Sequence, residues 1–242
     1  MVLKRAPADE PIAWRAALFE AIADCAAFRV ARSVCGSGGD WIVDGWAATT
    51  WLDGEHQHGR WEDVLAASRA FHDALCALDG APPESFGIEA TPWQVGAAVA
   101  WGERPPRRGI HPAVASALEA LRGMLEARWT GPPPQIIHGD FGGNVLFSAA
   151  GLAPAVIDFS PLLRPAPFAD AIVIVDAIAW WSASPDLAAR FMREREYGAQ
   201  ALARAVAYRL VVTDHLWAAS DPRRADAEVA GFLPAIAVIT GG

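Results

Sequence analysis

Two rhythms of apolar and polar positions alternate along this chain. Ile12 to Ala27 is rich in Ala, Leu and Glu and free of Gly and Pro, which predicts a helix. Trp61, Val64, Leu65, Ser68, Phe71, Leu75 and Leu78 recur at helical spacing, and Gly80 follows as a stop. A loop-rich stretch carrying Pro82, Pro83, Pro92, Pro105 and Pro106 leads to a second amphipathic helix marked by Val114, Leu118, Leu121, Leu125 and Trp129. Three or four helices are predicted from about Asp170 to Ile239.

Extended patterns interrupt the helices in two places. Val2-Leu3-Lys4 reads as a short strand, set apart from the first helix by Pro7 and Pro11. Phe28 to Val34 and Trp41 to Leu52 then form two extended runs around Cys35-Gly-Ser-Gly-Gly-Asp40, a pattern that predicts a hairpin turning there. The second interruption is Gln135 to Phe159, where two short apolar runs enclose a polar loop and a turn at Ser148 to Leu152. The character of the chain changes near Asp53-Gly54. The pattern predicts an α+β chain with a small N-terminal part, 1–52, and a mainly helical part, 53–242, without internal repeats.

Composition narrows the function. With 53% hydrophobic and 20% charged residues the 242-residue chain folds, which excludes a disordered or fibrous protein. A net charge of −8 gives no general attraction to nucleic acid or anionic lipid. The longest apolar run, Ala166 to Trp181, is broken by Asp170 and Asp176 and predicts no membrane span, and the N-terminus shows no secretory h-region. Cys25, Cys35 and Cys76 are widely spaced, with neither a CxxC pair nor zinc spacing, which fits a reduced, cytoplasmic setting.

The chemistry is concentrated in Ile136-Ile-His-Gly-Asp-Phe-Gly-Gly-Asn-Val-Leu-Phe147 and Ala155-Val-Ile-Asp-Phe-Ser160. Two apolar strands there present His138, Asp140, Asn144 and Asp158 at the mouth of a hairpin. Asp and Asn oxygens are ligands that Mg²⁺ accepts together with water and phosphate, and a carboxylate beside the metal can take a proton from a hydroxyl. His72 reads as a histidine flanking the core, and His56 and His58 as exposed loop residues.

His-Gly-Asp followed by Asn, then Val-Ile-Asp-Phe on the next strand, resembles the catalytic and metal loops of the aminoglycoside phosphotransferase and choline kinase family, relatives of the protein kinases with their H-R-D-x-x-x-x-N and D-F-G motifs. The resemblance implies a protein-kinase-like two-lobed fold and transfer of the γ-phosphoryl group of ATP, with Mg²⁺, to a hydroxyl of a small molecule. It makes Asp140 the catalytic base, His138 the brace of its loop, and Asn144 and Asp158 the metal ligands. Asp170, in Pro167-Phe-Ala-Asp-Ala171, becomes a buttress that caps a helix N-terminus and accepts loop amides. Upstream, Lys4 matches the phosphate lysine and Glu20 its ion-pair partner, with Glu10 and Asp24 as competitors for that role. Trp46 to Leu52 matches the last N-lobe strand and the hinge, where Trp51 or Trp46 borders the nucleotide.

Two departures accompany the likeness. Three residues, Phe141-Gly-Gly143, separate Asp140 from Asn144 where the kinase pattern has four, and the glycines are expected to let the loop tighten. The family also places a phosphate-covering hairpin before the lysine strand, whereas this chain begins at that strand, and Gly36-Ser-Gly-Gly39 comes too late to replace it. A reduced N-lobe with weak ATP binding is the expectation. Two other readings stay open: a degenerate kinase-like protein that binds a nucleotide or partner without turnover, and a metal-dependent hydrolase built on His138, Asp140 and Asp158.

Overall fold

The computed structural model of the chain describes residues 1–6, 11–78 and 91–241. In order it contains β1 (Val2–Arg5), α1 (Ile12–Ile22), β2 (Arg29–Val30), β3 (Ser33–Val34), β4 (Ile42–Val43), β5 (Trp46–Thr49), α2 (Trp61–Cys76), α3 (Pro92–Ala100) and α4 (Pro112–Glu126). There follow β6 (Gln135–His138), β7 (Val145–Leu146), β8 (Ala155–Val156), β9 (Pro161–Arg164), α5 (Ala166–Trp181), α6 (Asp186–Glu194), α7 (Gly198–Trp217) and α8 (Pro222–Thr240). Pro7, Glu10, Gly80, Pro82 and Pro83 lie outside the described residues.

The N-terminal sheet is organised around β5. One edge of β5 pairs antiparallel with β1, Lys4 opposite Ala47, and the other pairs with β3 and then β4. The hairpin therefore turns at Asp44-Gly45, not at Cys35 to Asp40. Both turn residues have positive φ, 51° and 76°, the conformation whose twist suits a two-residue hairpin and which Asp-Gly adopts readily. Cys35 to Asp40 is instead an excursion within one strand, closed by the Gly36 N–H donating to the Asp40 carbonyl at 2.9 Å. Phe28 to Val34 is likewise divided: β3 joins the N-terminal sheet, while β2 runs parallel to β8.

Helix ends also differ from the pattern. α1 stops at Ile22, and Phe28 just beyond it is buried in the core. Inside the proline-rich stretch lies α3, capped by Thr91 and Gln94 in a reciprocal box with Pro92 at the first helical position. α4 ends at Glu126, and Trp129 leaves the helix to pack its ring 5.1 Å from that of Trp101.

The main core gathers around α7, which is buried along most of its length among α3, α4, α5 and α8. α5 is apolar on nearly every side and equally buried, as a central helix should be. A separate small cluster, Ala6, Ile12 and Ala47 with Trp41 and Ile42, lies under the N-terminal sheet. Among the described residues no helix is long and apolar enough to cross a membrane.

Candidate active site

β6 to β9 form a nested ladder. β6 pairs antiparallel with β9 and, inside them, β7 with β8. The Gly139 N–H donates to the Ser160 carbonyl at 2.8 Å and the Ile157 N–H to the Asn144 carbonyl at 3.0 Å, so the two connecting loops are held against each other. Asp140 and Asn144 lie in the β6–β7 loop and Asp158 in the β8–β9 loop, which explains how residues far apart in sequence share one rim.

The shortened loop closes as a turn in which the Asn144 N–H donates to the Phe141 carbonyl at 3.0 Å. Asn144 Nδ2 then donates back to the Asp140 carbonyl at 2.7 Å and to Asp140 Oδ2 at 3.3 Å. The expected role of the glycines is not what permits this, because neither Gly142 nor Gly143 has a positive φ and a Cβ at Gly143 would meet only open space. Asp158, by contrast, has φ 50°. The left-handed region is uncommon for a non-glycine residue and recurs at functional loops.

Behind the loop runs a buried polar chain. His138 Nδ1 accepts the Asp140 N–H at 3.1 Å while its Nε2–H donates to the Ile157 carbonyl at 3.1 Å, so the ring fastens both loops at once. The His138 N–H donates to His72 Nε2 at 3.0 Å, His72 Nδ1 lies 3.3 Å from Ser68 Oγ, and Ser68 donates to Asp170 Oδ1 at 2.8 Å. These bonds require both rings to be neutral, and burial agrees: it lowers His72 from 6.5 to about 3, with His138 adding to the effect, and His138 to about 4. With both ring nitrogens engaged, His138 has none left for a metal, which removes it from the hydrolase reading. Asp170 is not a helix cap, since Pro165 holds that place, and among the described residues its side chain accepts from Ser68 and Arg69 rather than from a loop amide. It receives Ser68 and Arg69, the latter at 3.0 Å, and thereby ties α2 to α5.

Arg209, on α7, is a site residue that the motifs did not reveal. Its Nη2 donates to Asp140 Oδ1 at 2.5 Å, and its Nε and Nη2 reach Asp176 at 2.8 and 2.5 Å. Burial raises the Asp176 carboxyl from 3.8 to about 6 against the pull of Arg209, and the guanidinium, despite its own burial, is held well above its ordinary value by the carboxylates. The available signal was a lone arginine in the otherwise apolar run Ala205 to Val212.

In front of the loops opens a cavity of about 630 Å³ lined by Lys4, Trp51, Asn144 and Asp158, with Arg15 and His56 also on its wall. Lys4 Nζ donates to Asp158 Oδ1 across it. The expected pairing of Lys4 with Glu20 is not formed. Glu20 lies on the wet side of α1 and pairs with Arg32 at 3.1 Å, and Asp24 also faces Arg32, at 3.5 Å. Trp51 is exposed, and Trp46 packs under the Arg5 guanidinium, 4.7 Å from its ring centre. For a cation, Asp158 and Asn144 supply hard oxygen donors of the kind Mg²⁺ takes. Among the described residues no group of three or more His, Cys, Asp or Glu could enclose a metal, so such an ion would complete its shell with water and phosphate.

The profile of the phosphotransferase enzyme family matches residues 1–208. The chain belongs to that family. No curated protein matches by sequence. Among solved structures, the microcompartment-associated aminopropanol kinase aligns with a TM-score of 0.62 at 16% identity, covering 98% of this chain and 83% of that one. A thermostable mutant of aminoglycoside phosphotransferase APH(4)-Ia in ternary complex with ADP and hygromycin B aligns at 0.57 and 18% identity, covering 95% and 82%. The same enzyme with AMP-PNP and hygromycin B aligns at 0.58 and 16%, covering 95% and 83%. At such low identity the likeness establishes the fold, which is the protein-kinase-like α+β fold of this phosphotransferase family.

Proposed function

We propose that this family member transfers the γ-phosphoryl group of ATP to a hydroxyl of a small molecule, and that its lobes divide near Asp53-Gly54. The observation that carries the reading is the shared cavity of Lys4, Trp51, Asn144 and Asp158, with Asp140 hydrogen-bonded to the cavity-lining Asn144. Bound Mg²⁺ would neutralise charge on the phosphates. Asp158 and Asn144 would hold that ion through their side-chain oxygens. Lys4, which donates to Asp158 across the cavity, is placed to donate to the nucleotide phosphates. Trp51 offers an exposed ring to the adenine beside the hinge.

Asp140 takes the proton of the acceptor hydroxyl on Oδ2, the oxygen not engaged by Arg209. His138 touches neither substrate. It holds the backbone of both loops so that base and metal ligands keep their separation, and positioning of this kind accounts for much of phosphoryl-transfer catalysis. The structural neighbours are an aminoglycoside phosphotransferase bound to hygromycin B and an aminopropanol kinase, so hydroxylated amines head the acceptor panel.

The test is ADP release from ATP with and without Mg²⁺, over a panel of aminoglycosides, amino alcohols and neutral polyols. Acceptor-dependent release that EDTA abolishes is the expected result. MgATP binding without turnover on any acceptor would favour a nucleotide-binding module, and neither binding nor turnover would end the reading.

A further inference from the structure

Arg209 carries a buried charge that the reading above leaves without a task. Its side chain is 4% exposed, in the middle of α7. A guanidinium between two carboxylates at a helix contact is a poor source of stability, because an apolar set of similar volume packs there as well or better. Its geometry has a direct effect on the site. The Nη2 group carries two hydrogens, one aimed at Asp176 and one at Asp140 Oδ1. Nε–H completes a fork on Asp176, so the plane of the guanidinium is fixed by α5 before it meets the catalytic loop.

Asp140 needs such support. Its side chain is 36% exposed, and among the described residues the other hydrogen-bond donor to its carboxylate is Asn144, 3.3 Å from Oδ2. A carboxylate held only there could rotate and present either oxygen to water. The aromatic neighbours close the back of the arrangement: the Trp180 ring lies 5.3 Å and the Tyr208 ring 5.1 Å from the guanidinium, and the Tyr208 hydroxyl donates to the Gly139 carbonyl at 3.2 Å.

We propose that Arg209, anchored by Asp176, is a positioning residue for the catalytic aspartate: it pins Oδ1 so that Oδ2 alone faces the acceptor hydroxyl. The inference rests on the phosphoryl-transfer reading and adds a second pair, from α5 and α7, to the machinery of the loops. It predicts a particular kinetic signature. Arg209 and Asp176 do not line the nucleotide cavity, so losing their alignment should lower kcat and leave the KM for MgATP in place.

The experiment measures ADP release from MgATP with hygromycin B, aminopropanol or water alone as acceptor. Arg209→Lys keeps the charge but cannot present a planar fork to two carboxylates, and kcat should fall about tenfold, with the KM for MgATP within threefold of wild type. Arg209→Met alone would strand the buried Asp176 carboxylate, so it is combined with Asp176→Leu, which removes the pair together. That double variant should fold, as judged by its melting curve and MgATP affinity, and lose about a hundredfold in kcat. Arg209→Lys placed in an Asp140→Asn background should cost nothing further, because the group it positions is already gone. A folded double variant with kcat within threefold of wild type, or an undiminished effect of Arg209→Lys in the Asp140→Asn background, overturns the proposal. No ADP release by the wild type with any acceptor overturns the phosphotransfer reading itself, and the role of Arg209 with it.

Discussion

Acid should destabilise this protein through the two histidines behind its catalytic loop. His72 and His138 are neutral in the fold, held down to about 3 and about 4 from an ordinary 6.5, by burial above all. Below pH 6.5 the unfolded chain takes up two protons that the folded chain refuses. The stability these groups contribute is therefore complete above that pH and is lost as the pH falls. Between pH 7 and pH 5 each histidine costs about 2 kcal/mol, about 4 together. Asp176 acts in the opposite sense. With its carboxyl raised by burial to about 6 from 3.8, the fold binds a proton first and recovers about 1 kcal/mol over the same interval. Asp170, also raised by burial, helps in that direction. The histidines prevail by about 2–3 kcal/mol, roughly 5–10 °C in Tm for a domain of this size.

His72→Gln isolates the cause. A glutamine amide can accept from the His138 N–H and donate to Ser68, but it does not titrate. Urea unfolding followed by tryptophan fluorescence at pH 7, 6 and 5 gives the stability at each pH. Whatever its stability at pH 7, the variant should lose about 2 kcal/mol less than wild type on going to pH 5. Equal losses in the two proteins would mean that His72 takes up its proton freely in the fold, and the buried chain from His138 to Asp170 would be wrong.

Three further outcomes are expected. Asp140→Asn should leave MgATP affinity within about threefold by calorimetry while turnover falls by roughly 10² to 10⁴, and activity within threefold of wild type would remove Asp140 as the base. Asp158→Ala should abolish the Mg²⁺ dependence of nucleotide binding, because it removes the charged ligand; if Mg²⁺ strengthened binding equally in both proteins, the metal assignment would fail. Trp51→Ala should weaken ATP binding about five- to tenfold without changing kcat, the size of one stacking contact, and unchanged affinity would exclude the indole from the adenine site.

The short polar motifs were legible in the chain because their chemistry is local. His138-Gly-Asp140, Asn144 and Val156-Ile-Asp158 could be read as one site since each group of side chains sits on a loop directly next to an apolar strand, and Lys4 could be placed on β1 for the same reason. Asp44-Gly45 and Thr91-Pro-Trp-Gln94 are equally legible signals, one for a hairpin turn and one for a helix start, but the glycines at 36 to 39 and the prolines around 82 to 106 are stronger turn and loop patterns beside them and mask them.

What the order of residues determined, then, was which atoms could do chemistry: the carboxylates, the amide, the lysine and the apolar strands that carry them. Tertiary structure alone decided which of them meet. Glu20 and Arg32 are twelve residues apart and pair, whereas Lys4 closes on Asp158 from 154 residues away. Arg209 reaches Asp140 because α7 runs through the core beneath the loop. His72 became a member of the site when α2 packed against β6. Periodicity states which face of a helix is apolar, but a contact between two faces depends on how the remaining helices fill the space around them, and that information is spread over the whole chain.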